Sequence, residues 1–141
     1  MAELFTLHHQ LDNDCIELAE LPLSKLLLMN DSSYPWFILV PKVAGVTEIF
    51  HLGWEQQQQL LNESSLISEL INQLFQADKI NVAALGNVVP QLHVHHIVRY
   101  TTDKSWPAPI FGQHAPVPYT EEELSQLKQK LLPALADILP N

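Results

Sequence analysis

The sequence predicts one α+β domain, in which an antiparallel sheet is combined with a long central helix and a C-terminal helix. Two patterns support this prediction. Short apolar runs occur in pairs joined by turn residues, and two longer segments repeat apolar residues every three or four positions. Their order, hairpin, helix, hairpin, helix, favours antiparallel strands with helices packed beside them. At 141 residues, the chain has the length of a single domain spanning residues 1–141.

The first hairpin is predicted from two apolar runs. Residues 25–29 (KLLLM) and 36–40 (WFILV) are short and apolar, and residues 30–35 between them (NDSSYP) have the composition of a turn. Residues 15–19 show a weaker strand pattern. We therefore expect a hairpin with a third strand at its edge.

The central helix is predicted over residues 54–75, where apolar side chains recur at spacings of three and four and so share one face. One strand follows over residues 79–85, and another is predicted over about residues 91–100. These two strands form the second hairpin.

The C-terminal helix is predicted from a capping box, in which Thr120 and Glu123 satisfy the first backbone donors of the helix. Its apolar stripe consists of Leu124, Leu127, Leu131 and Leu135. Pro133 lies inside this pattern, and we expect it to kink or divide the helix because proline removes a backbone donor and clashes with the preceding turn.

The net charge limits the classes of ligand. Sixteen acidic and seven basic residues give a formal charge of −9, so we expect no binding to extended nucleic acid. A small phosphorylated ligand remains compatible with this charge, because a pocket can bind it through amides and imidazoles. The sequence contains neither an apolar run of about 18 residues nor a secretory signal, which predicts a cytoplasmic protein with no membrane partner. The single cysteine, Cys15, is interpreted as a buried small hydrophobe.

Three histidines occur within four positions, at His93, His95 and His96. Because side chains alternate between the faces of a strand, Gln91, His93 and His95 are predicted on one face and His96 on the other. Same-face neighbours lie about 6.5 to 7 Å apart, so His93 and His95 can contact one phosphate together. Imidazole is a nucleophile when neutral and a hydrogen-bond donor when protonated, and both forms are accessible near pH 7. His96 is interpreted as a satisfied core or interface histidine.

Residues 89–99 (VPQLHVHHIVR) resemble the signature of the histidine-triad (HIT) family, His-φ-His-φ-His-φ-φ, where φ is apolar. The first hairpin and the central helix match the earlier half of the family pattern, so the resemblance covers roughly residues 20–100. It implies a HIT-like fold and a nucleotide hydrolase or transferase. Members act on dinucleoside polyphosphates or nucleoside phosphoramidates, usually as homodimers, and require no metal or other cofactor.

The resemblance also implies roles for individual residues. His93 matches the histidine that attacks the α-phosphorus, forming a nucleotidyl-histidine that water resolves. His95 matches the third triad position, where it would hydrogen-bond the phosphate or the leaving oxygen. Asn30 matches a position near the ribose, and Asn87, on the loop before the active strand, is predicted to contact phosphate.

The chain departs from the family pattern in three places. Gln91 replaces the first histidine of the triad, and its amide can hydrogen-bond but cannot exchange a proton. A histidine that many members carry shortly after the Pro-Lys pair is absent, because Val43 and Ala44 follow that pair here. His96 takes a normally apolar position. These differences keep open a second hypothesis, that the chain binds nucleotides without hydrolysing them.

A third hypothesis treats His93 and His95 as two ligands of zinc, iron or manganese, since alternating strand histidines can hold such a metal. A third ligand is then needed. Only the fold could bring His51 or His114 close enough to supply it.

Three residues near the active strand each have two interpretations. Arg99 and Trp106 either line the substrate site or support the fold, with Arg99 pairing to Asp103 and Trp106 covering the core. Asn81 occupies the middle of a strand, where asparagine is disfavoured. It either anchors the neighbouring loop or reaches the substrate pocket.

Overall fold

The computed structural model describes residues 4–139 and confirms the predicted α+β class. Five strands form an antiparallel sheet, with a long central helix and a C-terminal helix packed against one face. The strands are β1 (Cys15–Glu20), β2 (Ser24–Met29), β3 (Trp36–Pro41), β4 (Lys79–Ala83) and β5 (Val94–Arg99). The helices are α1 (His9–Asp14), α2 (Trp54–Phe75) and α3 (Glu121–Ile138), and one 3₁₀ turn spans Ile49–His51.

The strand order is β1-β2-β3-β5-β4, so the histidine-bearing strand β5 lies between two neighbours. β5 pairs with β3 in a register that places Ile38 opposite His95 and Phe37 opposite His96. On its other side, Ala83 of β4 pairs with His95. Hydrogen bonding from two strands therefore fixes the backbone of β5.

One face of the sheet packs against α2 and α3. Every other residue of β2, β3 and β5 points to this face, as strand geometry requires. The fully buried members of this core are Leu26, Leu28, Phe37, Leu39, Ile67, Ile71, Val98, Leu131 and Leu135. This helix-facing side contains most of the apolar core.

The opposite face is covered by segments that are mostly irregular. Phe5, Leu7 and Leu11 pack against Leu27 and Ile38 over one half of this face. The other half is covered from the loop after β5, where Ile110 packs with Tyr34 and Ile97, and Phe111 lies against them. His95 is on this face, so loop and N-terminal residues enclose it rather than the helices.

The central helix α2 has the predicted bounds, but α1 was not predicted. α1 has six residues and buries only Leu11, so it shows no helical repeat of apolar positions. The His8 ring caps α1 by accepting a hydrogen bond from the backbone N–H of Gln10.

Within residues 4–139, no helix, α2 included, has the length and apolar content to span a membrane.

The second hairpin is shorter than predicted. β5 begins at Val94 rather than Gln91, because the backbone N–H of Leu92 bonds to Val46 in the loop before α2 instead of to a strand. β4 accordingly ends at Ala83, the residue that pairs with His95, and not at Leu85. The prediction that Gln91 continues the strand was therefore wrong.

Pro133 does not divide the C-terminal helix. α3 continues through it to Ile138, with Leu131 and Leu135 buried on either side of the proline. Pro133 itself is exposed, so its ring faces solvent. Core burial of the two leucines holds both halves in one helix despite the missing backbone donor.

We predict that Leu131→Ala lowers the free energy of unfolding by about 2–5 kcal/mol, since it removes a fully buried side chain and leaves a cavity. Urea denaturation measures this change. Gln129→Ala, at an exposed position of the same helix, is the matched control and should change stability by less than about 0.5 kcal/mol. Equal losses in both variants would contradict the packing of α3 on the sheet.

Candidate active site

His93 lies directly before β5, and a backbone hydrogen bond fixes its ring. The ring Nδ1 is 2.7 Å from the carbonyl oxygen of Gln91. A carbonyl only accepts, so Nδ1 must carry the hydrogen, and the lone pair of the neutral ring is on Nε2. The side chain is 7% exposed. His93 is thus a nearly buried imidazole with a nucleophilic nitrogen at Nε2.

His95 is held in the opposite sense. Its Nδ1 is 2.9 Å from the indole Nε1 of Trp36. The indole N–H can only donate, so Nδ1 of His95 accepts, and the neutral ring carries its hydrogen on Nε2. Burial, together with the positive charge that His93 and His96 can carry, lowers the pKa of His95 to about 3. At neutral pH, His95 is an uncharged donor through Nε2.

The two rings are adjacent. Their centroids are 5.0 Å apart, and their planes are nearly perpendicular at 74°. Phe111 packs against His95 with ring centroids 4.9 Å apart, and against Trp36 at 6.0 Å. The arrangement presents a nucleophile beside a hydrogen-bond donor, as an attack on phosphorus requires.

A surface cavity of about 420 Å³ adjoins His93, and we call it the first cavity. Its walls come from the loop before α2, the end of β4 and the segment that leads into β5. The lining residues include Thr47, Glu48, Phe50, Ala84, Gly86, Gln91 and His93. Asn87, the predicted phosphate contact, is exposed on the loop next to Gly86. The cavity is large enough for the phosphate end of a nucleotide.

Gln91 lines the first cavity, but its amide is bonded to the N-terminal segment. Its Oε1 accepts from the backbone N–H of His8 at 2.8 Å, and its Nε2 donates to the carbonyl of Thr6 at 2.9 Å. Gln91 therefore anchors the segment that covers this face of the sheet. The sequence pattern predicts that this amide shares a strand face with both imidazoles, but Gln91 and His93 precede β5.

A second cavity, of about 280 Å³, lies on the other side of Trp36. Asn30 lines it, and its Oδ1 accepts from the backbone N–H of Tyr119 at 2.9 Å. The nearly buried Asp31 uses Oδ1 to accept from the backbone N–H groups of Ser33 and Val117. Trp36 lines this cavity and contacts His95, so the second cavity adjoins the histidine pair.

Arg99 lies four residues after His95, roughly 13 Å further along β5. Its buried guanidinium forms two hydrogen bonds to Asp103, at 2.9 and 3.1 Å, and one to Asn81 Oδ1 at 2.8 Å. A fourth bond goes to the carbonyl of Ala108, and Trp106 covers the cation with its ring centroid 5.5 Å away. The sequence leaves two interpretations open for Arg99, Asn81 and Trp106. The predicted ion pair from Arg99 to Asp103 is confirmed, and the contacts of the three residues favour support of the fold over contact with substrate. Arg99 and the Asp103 carboxylate are buried, Asn81 is half-buried and Trp106 is partly exposed, and together they support the loop after β5.

His96 points to the helix-facing side and is fully buried. Its Nε2 lies 2.7 Å from the Ser64 hydroxyl and its Nδ1 lies 3.0 Å from the Val94 carbonyl. Burial lowers the pKa of His96 to about 4, against the opposing effect of the bond to Val94. The interpretation of His96 as a satisfied core histidine is confirmed.

Trp36, Asp31 and Phe111 also lie at this site, and none of them was predicted from the sequence. Trp36 had a usable signal: on β3 it shares a face with Ile38, which pairs with His95, so it is a diagonal neighbour of that histidine. Phe111 is in an irregular loop and gave no pattern. Among residues 4–139, no group of three His, Cys, Asp or Glu side chains is arranged to hold a metal ion.

Comparisons with known proteins give one consistent result. The model of the HIT domain matches residues 10–102. A histidine triad protein from Marinobacter aquaeolei VT8 is 54% identical with a TM-score of 0.94, covering 96% of this chain and 99% of its own. One from Bradyrhizobium japonicum is 41% identical with a TM-score of 0.92, covering 94% and 98%. A third, from Sinorhizobium meliloti 1021, is 39% identical with a TM-score of 0.90, covering 92% and 96%. No curated protein matches the chain.

We predict that Asp103→Ala destabilises the protein by about 3–5 kcal/mol, because it leaves the buried Arg99 charge without its carboxylate. The matched control is Glu17→Ala, which breaks the exposed ion pair with Lys25 and should cost at most about 1 kcal/mol. Urea denaturation measures both. A loss for Asp103→Ala no larger than the control would refute the supporting role of this network.

Proposed function

Because the chain belongs to the histidine-triad (HIT) family, we propose that it is a nucleotide hydrolase or transferase. It acts at the α-phosphate of dinucleoside polyphosphates or nucleoside phosphoramidates through a nucleotidyl-histidine on His93. The observation that carries this proposal is the bond from His93 Nδ1 to the Gln91 carbonyl, which leaves the lone pair on Nε2 of a side chain that lines the first cavity.

In the proposed reaction, His93 Nε2 attacks the α-phosphorus, and the bond from phosphorus to the leaving group breaks. Charge that develops on the phosphoryl oxygens is stabilised by the Nε2–H of His95 and by backbone amides near Asn87. Water then attacks phosphorus, the bond to Nε2 breaks, and His93 returns to its starting state. Another acceptor in place of water would make the reaction a transfer.

We place the nucleoside in the second cavity. This cavity combines apolar and aromatic side chains with a carboxylate: Met29, Trp36 and Ile110 line it together with Asp31 and Asn30. Base and ribose need such a combination, since the base packs on apolar surface and ribose hydroxyls donate to an acceptor. Trp36 separates this cavity from the histidines, so a bound nucleotide would extend past the indole toward His93.

The second candidate is a nucleotide-binding module without turnover. The engagement of the Gln91 amide by Thr6 and His8 favours it, because the first triad position then contributes neither a proton nor a free amide. The two candidates share the pocket and differ in the reaction at His93.

We predict that the purified protein releases AMP from diadenosine tetraphosphate or an adenosine phosphoramidate, and that chelator does not inhibit the release. His93→Ala should lower the rate at least about 1000-fold because the nucleophile is lost, with nucleotide affinity largely unchanged. His9→Ala, at an exposed histidine, is the control and should keep wild-type activity.

Nucleotide binding with no AMP release would favour the binding module. Full activity in His93→Ala would refute the assigned nucleophile. Loss of activity with chelator would indicate a metal-dependent reaction instead.

We also propose that the chain forms a homodimer through β4, which is an edge strand of the described sheet. Exposed apolar side chains flank this edge on the side of α2: Ile49, Leu61 and Val82. If β4 pairs antiparallel with its own copy about Asn81, Lys79 lies opposite Ala83, so no like charges meet. An exposed edge with apolar neighbours is suited to strand pairing.

The dimer predicts that Val82→Lys shifts the protein to monomer and raises the dissociation constant at least about 100-fold, because a lysine would be buried without a partner. Light scattering across a concentration series measures this. Val117→Lys, at a similarly exposed valine away from β4, is the control and should stay dimeric (49% exposed, against 52% for Val82). A monomeric wild type, or dimeric Val82→Lys, would refute the interface.

A further inference from the structure

We propose that Trp36 fixes His95 as a neutral hydrogen-bond donor and thereby restricts the site to substrates whose leaving group departs as a stable anion. Such substrates are nucleotidyl phosphoric anhydrides, as opposed to nucleotidyl amides of alkylamines. The inference rests on the proposed function and narrows its substrate class to one of the two bond types.

The geometry around His95 allows one tautomer. The indole N–H of Trp36 occupies the Nδ1 side at 2.9 Å, and a hydrogen on Nδ1 would place two N–H groups against each other. Trp36 and Phe111 both pack on the ring. A flip of the ring would put a carbon in the place of Nδ1 and bring that carbon against the indole donor. Protonation to imidazolium meets the same obstacle, and burial opposes it separately by lowering the pKa of His95.

A neutral imidazole with its hydrogen on Nε2 can donate a hydrogen bond, but it does not give up that proton near pH 7. His95 can therefore stabilise negative charge on a phosphoryl or leaving oxygen. It cannot act as the general acid that protonates a departing amine.

The other groups at the histidine pair do not replace it. Gln91 has no exchangeable acid proton, and its amide bonds to Thr6 and His8. His93 holds its Nδ1 hydrogen on the Gln91 carbonyl. Glu48 is the other titratable residue that lines the first cavity, and its exposed carboxylate is at the rim formed by the loop before α2. The titratable residues of the second cavity are beyond Trp36: Asp14, Asp31, Tyr34 and His114.

The two bond types differ in what the leaving group needs. In an anhydride, Nε2 of His93 forms a bond to the α-phosphorus while the bridging P–O bond breaks. The electron pair stays on a phosphate oxygen, which is stable as an anion and needs no proton. In an alkylamide the P–N bond breaks, and the electron pair would form an amide anion unless a proton reaches nitrogen. The site provides hydrogen-bond donors but no acid for that proton.

The test compares two substrates that share the adenosine and the α-phosphate: diadenosine tetraphosphate and the N-ethyl amide of AMP. Wild-type kcat/KM should favour the anhydride at least about 100-fold, the lower range of what a general acid contributes. Trp36→Phe keeps an aromatic ring but removes the indole donor. It should reduce this preference at least about tenfold, because Nδ1 of His95 would no longer face a donor and could take up a proton. Amide cleavage should rise toward acidic pH, since the buried ring keeps a low pKa. Because the substrates share a nucleoside, effects of Trp36 on nucleoside binding cancel in the ratio.

A second measurement is independent of turnover. Nitrogen NMR of the wild-type imidazoles reports which ring nitrogen carries hydrogen, and we expect Nε2–H for His95 at neutral pH. This readout also holds if Trp36→Phe does not fold.

Hydrogen on Nδ1 of His95, or wild-type cleavage of the alkylamide as fast as the anhydride, would overturn this inference while leaving the proposed function in place. Release of AMP from neither substrate would overturn both.

Discussion

The antiparallel pairing of β3 with β5 is the constraint on which the site depends. Its register places Ile38 opposite His95 and Phe37 opposite His96, and so decides which neighbour each histidine has. His95 consequently faces Trp36 on the open side of the sheet, and His96 faces Ser64 of α2 within the core. A slip of one residue would exchange the two faces and send His95 under the helices. The apolar residues of β3 and β5 that pack on α2 and α3 prevent such a slip.

The face that carries His95 has no helix layer, and polar contacts hold its cover in place. Arg99 connects Asn81 of β4, Asp103 and the Ala108 carbonyl, and so fixes the loop that brings Phe111 to His95. On the other side of β5, before the strand begins, Gln91 holds the N-terminal segment through hydrogen bonds to the backbone of Thr6 and His8. An irregular cover needs such bonds because it lacks the repeating backbone bonds of a helix or sheet. Arg99 and Gln91, which the sequence suggests as site residues, thus hold in place the segments that enclose the site.

Much of the fold could be predicted because its signals are local. The bounds of α2 follow from apolar residues that recur every three or four positions over 22 residues. The β2–β3 hairpin follows from two apolar runs on either side of a polar turn. The start of β5 could not be predicted, because the bond from Leu92 to Val46 joins residues far apart in the chain. The partners of Gln91, Thr6 and His8, could not be predicted for the same reason, whereas the pairing of Arg99 with Asp103, four residues further on, was predicted as one of two interpretations. The local sequence pattern marks Arg99 and Gln91 as candidate site residues, but only the fold shows whether they contact a ligand or other parts of the protein.

The pair of histidines shows how identical side chains acquire different chemistry. Each ring uses Nδ1 for one hydrogen bond within the protein and leaves Nε2 available to a ligand. For His93 the partner is a carbonyl, an acceptor, and the lone pair is therefore on Nε2. For His95 the partner is an indole N–H, a donor, and the hydrogen is therefore on Nε2. The polarity of one neighbouring atom thus leaves a lone pair on Nε2 of one neutral imidazole and a hydrogen on Nε2 of the other. Neither assignment needs a net charge, which suits two buried rings whose centroids are 5.0 Å apart. Two imidazolium ions at this distance would repel each other in a site with little water, and positive charge on His93 accordingly contributes to the lowered pKa of His95.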